Sequence, residues 1–337
     1  MDSLLLKALR CEKTSRPPVW LMRQAGRYLK EYRDLKEKYT FLELCSNPEL
    51  ATSVTLMPLK RFDLDAAILF ADILLILQTL DFNIGFESGV GPQIDTKNYL
   101  SQIDQIPLLE VADVLSYIPE TIKQLKKELS VPLIGFCGAP FTLATYLLEK
   151  KTSRTFENTK HWIYSKPNQL QFILKLLTKQ SIKYLNMQVD AGVNAVQIFD
   201  SWAGFFPESV LKEYSFPYLK QIIDAIKPKV PVILFAKGSC LHVSELEKLS
   251  PTAISLDDSA NLDRISQKLS PKTAIQGNLD PDLLTAPLPL LESEVKKLCN
   301  EMKNRPGYIF NLGHGIKPQS KVENVECLIK TVQNMSY

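Results

Sequence analysis

The chain has 337 residues, 45% of them hydrophobic, with 40 basic and 37 acidic side chains and a net charge of +3. That length can bury one large α/β core or two smaller ones. The small, evenly spread charge gives no argument for nucleic acid or a membrane surface as partner, and no stretch approaches the roughly 18 uninterrupted apolar residues of a transmembrane helix.

The first seven residues, Met-Asp-Ser-Leu-Leu-Leu-Lys, are too short and too acidic for a signal peptide. The six cysteines, at 11, 45, 137, 240, 299 and 327, form no CxxC pair. In a chain of this size they read as free thiols of a reducing, cytoplasmic compartment. After the apolar run 19–22 comes Met22-Arg23-Gln24-Ala25-Gly26-Arg27-Tyr28, with no acidic residue until Glu31. If this segment is helical, Arg23 and Arg27 share a face. If it is a loop, Gly26 lets the backbone bend so that both reach one ligand. Two planar guanidinium forks suit a polyanion, and the plain alternative is a pair of solvated surface arginines. Asn47-Pro48-Glu49 is a helix start, with Asn47 as cap and proline in the first turn.

Residues 66–70 read as a buried parallel strand, and Asp72 is the one polar residue between Ala66 and Leu77. A carboxylate in such surroundings is partly desolvated, so it must be partnered, shift its pKa or do a job. A structural role, capping the next helix or pairing with a core arginine, is the competing reading. Residues 80–99 carry Gly85, Gly89, Gly91 and Pro92 and read as a hairpin or an insert. A strand at 132–136 leads into Gly138-Ala139-Pro140, where Pro140 opens a helix whose free N–H groups favour anions; Tyr146 lies about two turns in. Residues 169–190 have helical apolar spacing and stop at Ala191-Gly192.

Further strands, at 195–199, 232–235, 253–256, 273–275 and 308–310, each end in small, polar or charged residues. Helices are expected at 244–249 and 290–303. Ser201 follows the first of these strands but lacks a G-x-S-x-G elbow, so it fits hydrogen bonding better than nucleophilic attack. Of the histidines 161, 242 and 314, only His314 sits between glycines at a strand end, where it can donate to a carboxylate or move protons. Seven strands alternating with helices argue for a parallel sheet, and their polar C-terminal ends suit the active face of a (β/α)8 barrel. The eighth strand is not evident. A doubly wound sheet is the alternative, but neither GxGxxG nor GxxxxGK[ST] occurs.

Residues 22–28, 69–74, 132–146, 199–204, 276–281 and 311–315 resemble, in order and spacing, the defining motifs of the uroporphyrinogen decarboxylase family, and together they cover nearly the whole chain. The resemblance implies a single TIM-type barrel over residues 1–337, usually dimeric. It implies removal of the four acetate carboxylates of uroporphyrinogen III in heme biosynthesis, with no metal and no organic cofactor. By resemblance, Arg23 and Arg27 belong to a substrate-binding loop in which Gln24, Ala25 and Gly26 supply backbone contacts. Asp72 matches the carboxylate that accepts hydrogen bonds from the pyrrole N–H groups. Asp72, Arg23 and Arg27 are the expected catalytic residues. Tyr146, Ser201 and His314 match positions that bind substrate carboxylates or the ring.

The proton donor stays open, since an arginine is an unusual acid and a water chain is an alternative. Two stretches depart from the commonest family pattern: Lys237-Gly238-Ser239-Cys240 and the charged end of residues 147–151. Two rival functions are also carried. One is a zinc-dependent, corrinoid-linked methyltransferase using Cys240 and His242 with His314 or Cys299. The other is a protein that binds tetrapyrroles without acting on them.

Overall fold

A computed structural model describes residues 3–87, 91–238 and 241–337. Gly89, Ser239 and Cys240 therefore lie outside the described residues. Among those described, seven strands form one parallel, curled sheet: β1 (Ala67–Ile68), β4 (Leu133–Gly138), β5 (Ala195–Asp200), β6 (Val232–Ala236), β7 (Ala253–Ser255), β8 (Ala274–Leu279) and β9 (Tyr308–Leu312), neighbouring one another in that order. Two further strands, β2 (Asn83–Glu87) and β3 (Gly91–Asp95), pair antiparallel as a hairpin outside the sheet, which settles the irregular segment after residue 80.

All seven apolar runs read as strands are strands, because each is covered on both faces. β4 and β6 are buried at every residue. The sheet's two edges both reach Val19. It bridges Phe310 of β9 in parallel, and its carbonyl accepts the N–H of Asp65, just ahead of β1. Pro17 and Pro18 precede it and have no N–H to donate, so pairing here is confined to one bridge.

The helices follow their sequence signals. Asn47 caps the helix Pro48–Arg61 through its side chain, accepting from the Leu50 N–H at 2.9 Å. The long helix Pro167–Ala191 ends at Gly192, whose φ of 116° is the left-handed stop expected there. The helices at 244–249 and 290–303 appear as Val243–Lys248 and Leu288–Glu301.

Inside the curl sits a separate apolar cluster. Ile134, Ala195, Ala253 and Ala274, at or next to the first residues of their strands, pack with Leu5, Ala8 and Leu9 of the helix Leu4–Leu9. That helix therefore covers the strands' N-terminal end. Above it lies a buried polar layer. Trp20 Nε1 donates to Gln276 Oε1 at 3.0 Å, and Gln276 Nε2 donates to Gln197 Oε1 at 3.0 Å and to Ser255 Oγ at 2.9 Å. Through Trp20, three residues ahead of Arg23, the layer ties the segment after Val19 to β5, β7 and β8. Replacing Gln276 by leucine should leave the Trp20 indole and the Gln197 carbonyl buried without partners. We expect it to lower unfolding stability by about 3 kcal/mol in urea titrations. A loss under about 1 kcal/mol would mean that the layer does not hold the segment in place.

Candidate active site

The segment Met22–Tyr28 is a loop, and its anchors are internal. Gln24 is fully buried. Its Oε1 accepts the Leu21 N–H at 3.2 Å, its Nε2 donates to the Ala66 carbonyl at 3.2 Å, and its own carbonyl accepts the Tyr28 hydroxyl at 2.8 Å. The Gln24 side chain thus fixes the loop against the entry to β1 and is not free to point outward. Ala25 and Gly26 are half-buried, and Arg23 and Arg27 are exposed. Arg23 has a φ of 59°, a left-handed conformation that is uncommon and mildly strained for a residue with a side chain.

The strain is held by contact with the far end of the chain. The Ile316 N–H donates to the Met22 carbonyl at 2.9 Å, and the Met22 N–H donates to Asn311 Oδ1 at 3.0 Å. The stem of Arg23 lies directly across Gly315. A Cβ on Gly315 would come within 2.5 Å of Arg23 Cγ and 3.0 Å of its Cβ. Only glycine leaves this space open.

Asp72 follows β1 and is partly exposed. Its Oδ1 accepts the Leu74 N–H at 2.8 Å and so caps the 3-10 helix Ile73–Leu80. The capping reading of this residue is therefore realised, and it uses one oxygen. Desolvation pushes the Asp72 carboxyl up, while the Leu74 N–H and the charge of Arg23 pull it back down. Tyr146 projects from the helix Pro140–Glu149, which Pro140 opens as expected. Burial first, and then the charge of Asp72, against the opposing charge of Arg23, raise its phenol to about 12. Its ring packs against Trp202 with centroids 5.4 Å apart. Arg23, Asp72 and Tyr146 thus act on one another electrostatically at the same end of the sheet.

Ser201 lies half-buried in the turn after β5. Its neighbour Asp200 is fully buried and turned away from the mouth. Thr142 Oγ1 donates to one carboxylate oxygen at 2.6 Å and Ser215 Oγ to the other at 2.6 Å. Thr142 Oγ1 also accepts the Trp202 N–H at 3.3 Å. Asp200 consequently clamps the start of the Tyr146 helix to the Ser201 turn.

His314 stands half-buried after β9, its ring edge-on to Phe235. Burial first, and then the charges of Arg23, Lys237 and Lys317 against a small opposing effect of Asp257, together lower its pKa to about 4. The Gly315 N–H donates to Nδ1 at 2.8 Å, so the neutral ring carries its proton on Nε2 and acts as a donor. Lys237 and Asp257 also stand at this end; both close strand runs in the sequence, but sequence reading gave neither a role in the site. Asp257 is buried and accepts the Gly238 N–H and the Ser259 hydroxyl.

The residues weighed for zinc do not gather. His242 Nδ1 is paired with Glu208 at 3.0 Å, Cys299 is fully buried in the helix Leu288–Glu301, and Cys240 lies outside the described residues. Among the described residues, no three histidine, cysteine or acidic side chains come together as metal ligands.

A pH prediction follows from His314. Its folded value lies below the ordinary 6.5, so on acidification the unfolded chain takes up this proton first. The stability contributed by the neutral ring is whole above pH 6.5 and is lost as pH falls toward 4. In an NMR titration the His314 resonances should hold steady between about pH 8 and pH 6 and move only near pH 4. An inflection above pH 6 would show that the ring is charged at the mouth.

The chain matches the family model described as uroporphyrinogen decarboxylase (URO-D) over residues 1–335. It is 48% identical to a uroporphyrinogen decarboxylase of Protochlamydia amoebophila over 98% of this chain and 91% of that one. It is 40% identical to a uroporphyrinogen decarboxylase of Shewanella amazonensis over 98% of this chain and 96% of that one. Among solved structures, a methyltransferase from Methanosarcina mazei superposes with a TM-score of 0.83 at 20% identity, covering 99% of each chain; at that identity the likeness speaks to the fold alone. Matched from end to end by the family model, and at 48% identity by a relative of nearly the same extent, the chain belongs to the uroporphyrinogen decarboxylase family.

Proposed function

We propose that this protein removes the four acetate carboxylates of uroporphyrinogen III as CO2, leaving methyl groups and giving coproporphyrinogen III. The observation that carries the reading is Asp72. It is a partly desolvated carboxylate at a strand end with one oxygen engaged in capping, under the field of an adjacent, exposed Arg23. The second oxygen can accept from the pyrrole N–H groups at the centre of the macrocycle. A preorganised anion placed there stabilises positive charge on the ring.

The chemistry asks for that placement. Decarboxylation needs a sink for the electron pair of the breaking C–C bond, which many enzymes draw from a cofactor. A pyrrole supplies its own. Protonation of the ring carbon next to the one bearing the acetate gives an iminium cation, the CH2–COO⁻ bond breaks, and its pair forms an exocyclic C=CH2 bond and neutralises the iminium as CO2 leaves. The methylene carbon then takes a proton and becomes a methyl group, and the ring carbon gives up the proton it received, which restores the pyrrole. Asp72 stabilises the cationic stage. Arg23 and Arg27, exposed on one loop, bind carboxylates, with the Ala25–Gly26 backbone between them lining the same face. Tyr146, Ser201 and His314, the last donating through Nε2, bind and orient the substrate.

The same reading extends to architecture. The segment around Val19, which touches both edges of the sheet, takes the eighth position and closes a (β/α)8 barrel over the single domain 1–337. The working unit is a homodimer in the cytoplasm. There the reduced macrocycle and free thiols such as Cys45 and Cys137 are kept from oxidation.

The test is anaerobic incubation of the metal-stripped protein with uroporphyrinogen III, separating products by carboxylate count. Porphyrinogens with seven, six, five and four carboxylates, formed without added cofactor, are expected. Tight binding with no CO2 over hours would favour a carrier instead. In the same assay Asp72→Asn should fold and lose about 10²–10³ in turnover, because an amide cannot stabilise the ring cation. Turnover above about a tenth of wild type would refute the electrostatic role. Gly315→Ala should push the Arg23 stem from its seat and lower kcat/KM about tenfold, through substrate binding. If Gly315→Ala leaves kcat/KM unchanged, Arg23 does not act from the seat seen here.

A further inference from the structure

Lys237 is a cation at the mouth that the reaction outlined above does not use. It follows β6, the middle strand of the seven, three strands from β1 and three from β9. It therefore stands across the sheet from Asp72. Its charge reaches His314, and its ammonium lies over Phe205, in the short turn Ala203–Phe205 after β5.

Its backbone is held on several sides. The Lys237 N–H donates to the Asp200 carbonyl at 3.2 Å, and the next N–H, of Gly238, donates to the buried Asp257 carboxylate. Gly238 has a φ of 72° and meets Gly204 glycine to glycine. A Cβ on Gly238 would lie 2.7 Å from Gly204 Cα, and a Cβ on Gly204 would lie 2.8 Å from the Lys237 carbonyl oxygen. The turns after β5 and β6 are thus locked together. The side chain is not locked. Among the described residues no carboxylate pairs with its ammonium, which lies over the Phe205 ring, 5.8 Å from the centroid. Phe205 is 44% exposed. A cation and a partly exposed apolar ring, itself backed by Phe156 and Trp202, stand side by side on a rigid mount.

We propose that Lys237 and Phe205 form a binding station for a propionate side chain of the macrocycle, an inference that rests on the decarboxylase reading. The ammonium takes the carboxylate, and the ring packs the two methylenes between carboxylate and pyrrole. An acetate has one methylene and offers less to the ring. The reacting acetate also belongs at Asp72 and Arg23, across the mouth. Acetates disappear one by one, whereas the four propionates persist through all four decarboxylations. A station for propionate therefore grips every intermediate alike while the macrocycle is turned to present the next acetate.

The test is binding of coproporphyrinogen III, which keeps four propionates and has no acetate, measured anaerobically for wild type, Lys237→Met and Lys237→Arg. Lys237→Met should weaken Kd about tenfold and Lys237→Arg should restore most of the loss. KM for uroporphyrinogen III and for the five-carboxylate intermediate should rise by the same factor. An unchanged Kd in folded Lys237→Met overturns the station. A KM effect on uroporphyrinogen III without an effect on Kd for coproporphyrinogen III overturns the propionate assignment. Wild-type turnover in the same series separates this outcome from a failure of the decarboxylase reading, because the Kd comparison does not depend on turnover.

Discussion

The site depends on one junction: the segment 19–28 seated against the end of β9. Three contacts make it, the Met22 N–H on Asn311, the Ile316 N–H on the Met22 carbonyl, and the Arg23 stem across Gly315. They join residues nearly three hundred positions apart, so the arginine loop has its shape only after the last strand is in place. That timing explains why the left-handed backbone at Arg23 persists. A local strain of order 1–3 kcal/mol is tolerated where surrounding contacts over-determine it. Below the junction, the Trp20–Gln276–Gln197 layer extends the same segment into the middle of the sheet. Loop, layer and last strand behave as one unit.

Charge at the mouth follows from that seat. Arg23 is close enough to lower the carboxyl of Asp72, the phenol of Tyr146 and the imidazole of His314 together. For Asp72 this opposes burial and favours the anion. For His314 it acts with burial and favours the neutral donor. One exposed guanidinium thereby helps set two neighbouring groups to opposite charge states, as an anionic substrate with a cationic intermediate requires. Two more cations, Lys237 and Lys317, act on His314 in the same direction as Arg23, so the ring has little tendency to become charged itself.

Much of this was legible in sequence, for a physical reason. Strands covered on both faces leave continuous apolar runs, and all seven could be read from theirs. Asn47 and Gly192 mark helix ends because caps are local chemistry. The segment around Val19 could not be read as part of the sheet, because a single bridge after two prolines has no periodicity to detect. Whether residues 22–28 form a helix or a loop was open for a related reason. The deciding contacts, Gln24 on Ala66 and Met22 on Asn311, are tertiary. Lys237 ended an apolar run like the other site residues, yet without Phe205 and the Gly204–Gly238 contact nothing in the letters set it apart. The match to family motifs carried what periodicity could not.

Asp72 and Asp200 show how far position alone can mislead. Both stand at or just past the end of a buried strand, and burial raises both carboxyls. Asp200 has each oxygen filled by a hydroxyl, from Thr142 in the helix Pro140–Glu149 and from Ser215 between the helices Glu208–Tyr214 and Phe216–Ile226. Its hydrogen-bonding capacity is taken up inside the protein, and it serves as a clamp. Asp72 gives one oxygen to a helix cap, and its surroundings open toward an arginine-lined mouth. A carboxylate with unfilled acceptor capacity, partial exposure and a neighbouring cation can stabilise charge that develops on a bound ring. One whose oxygens are both occupied by neutral hydroxyls cannot do so without breaking the clamp. The difference lies in the partners: Asp72 keeps acceptor capacity for the role proposed above, while Asp200 holds the Tyr146 helix against the Ser201 turn.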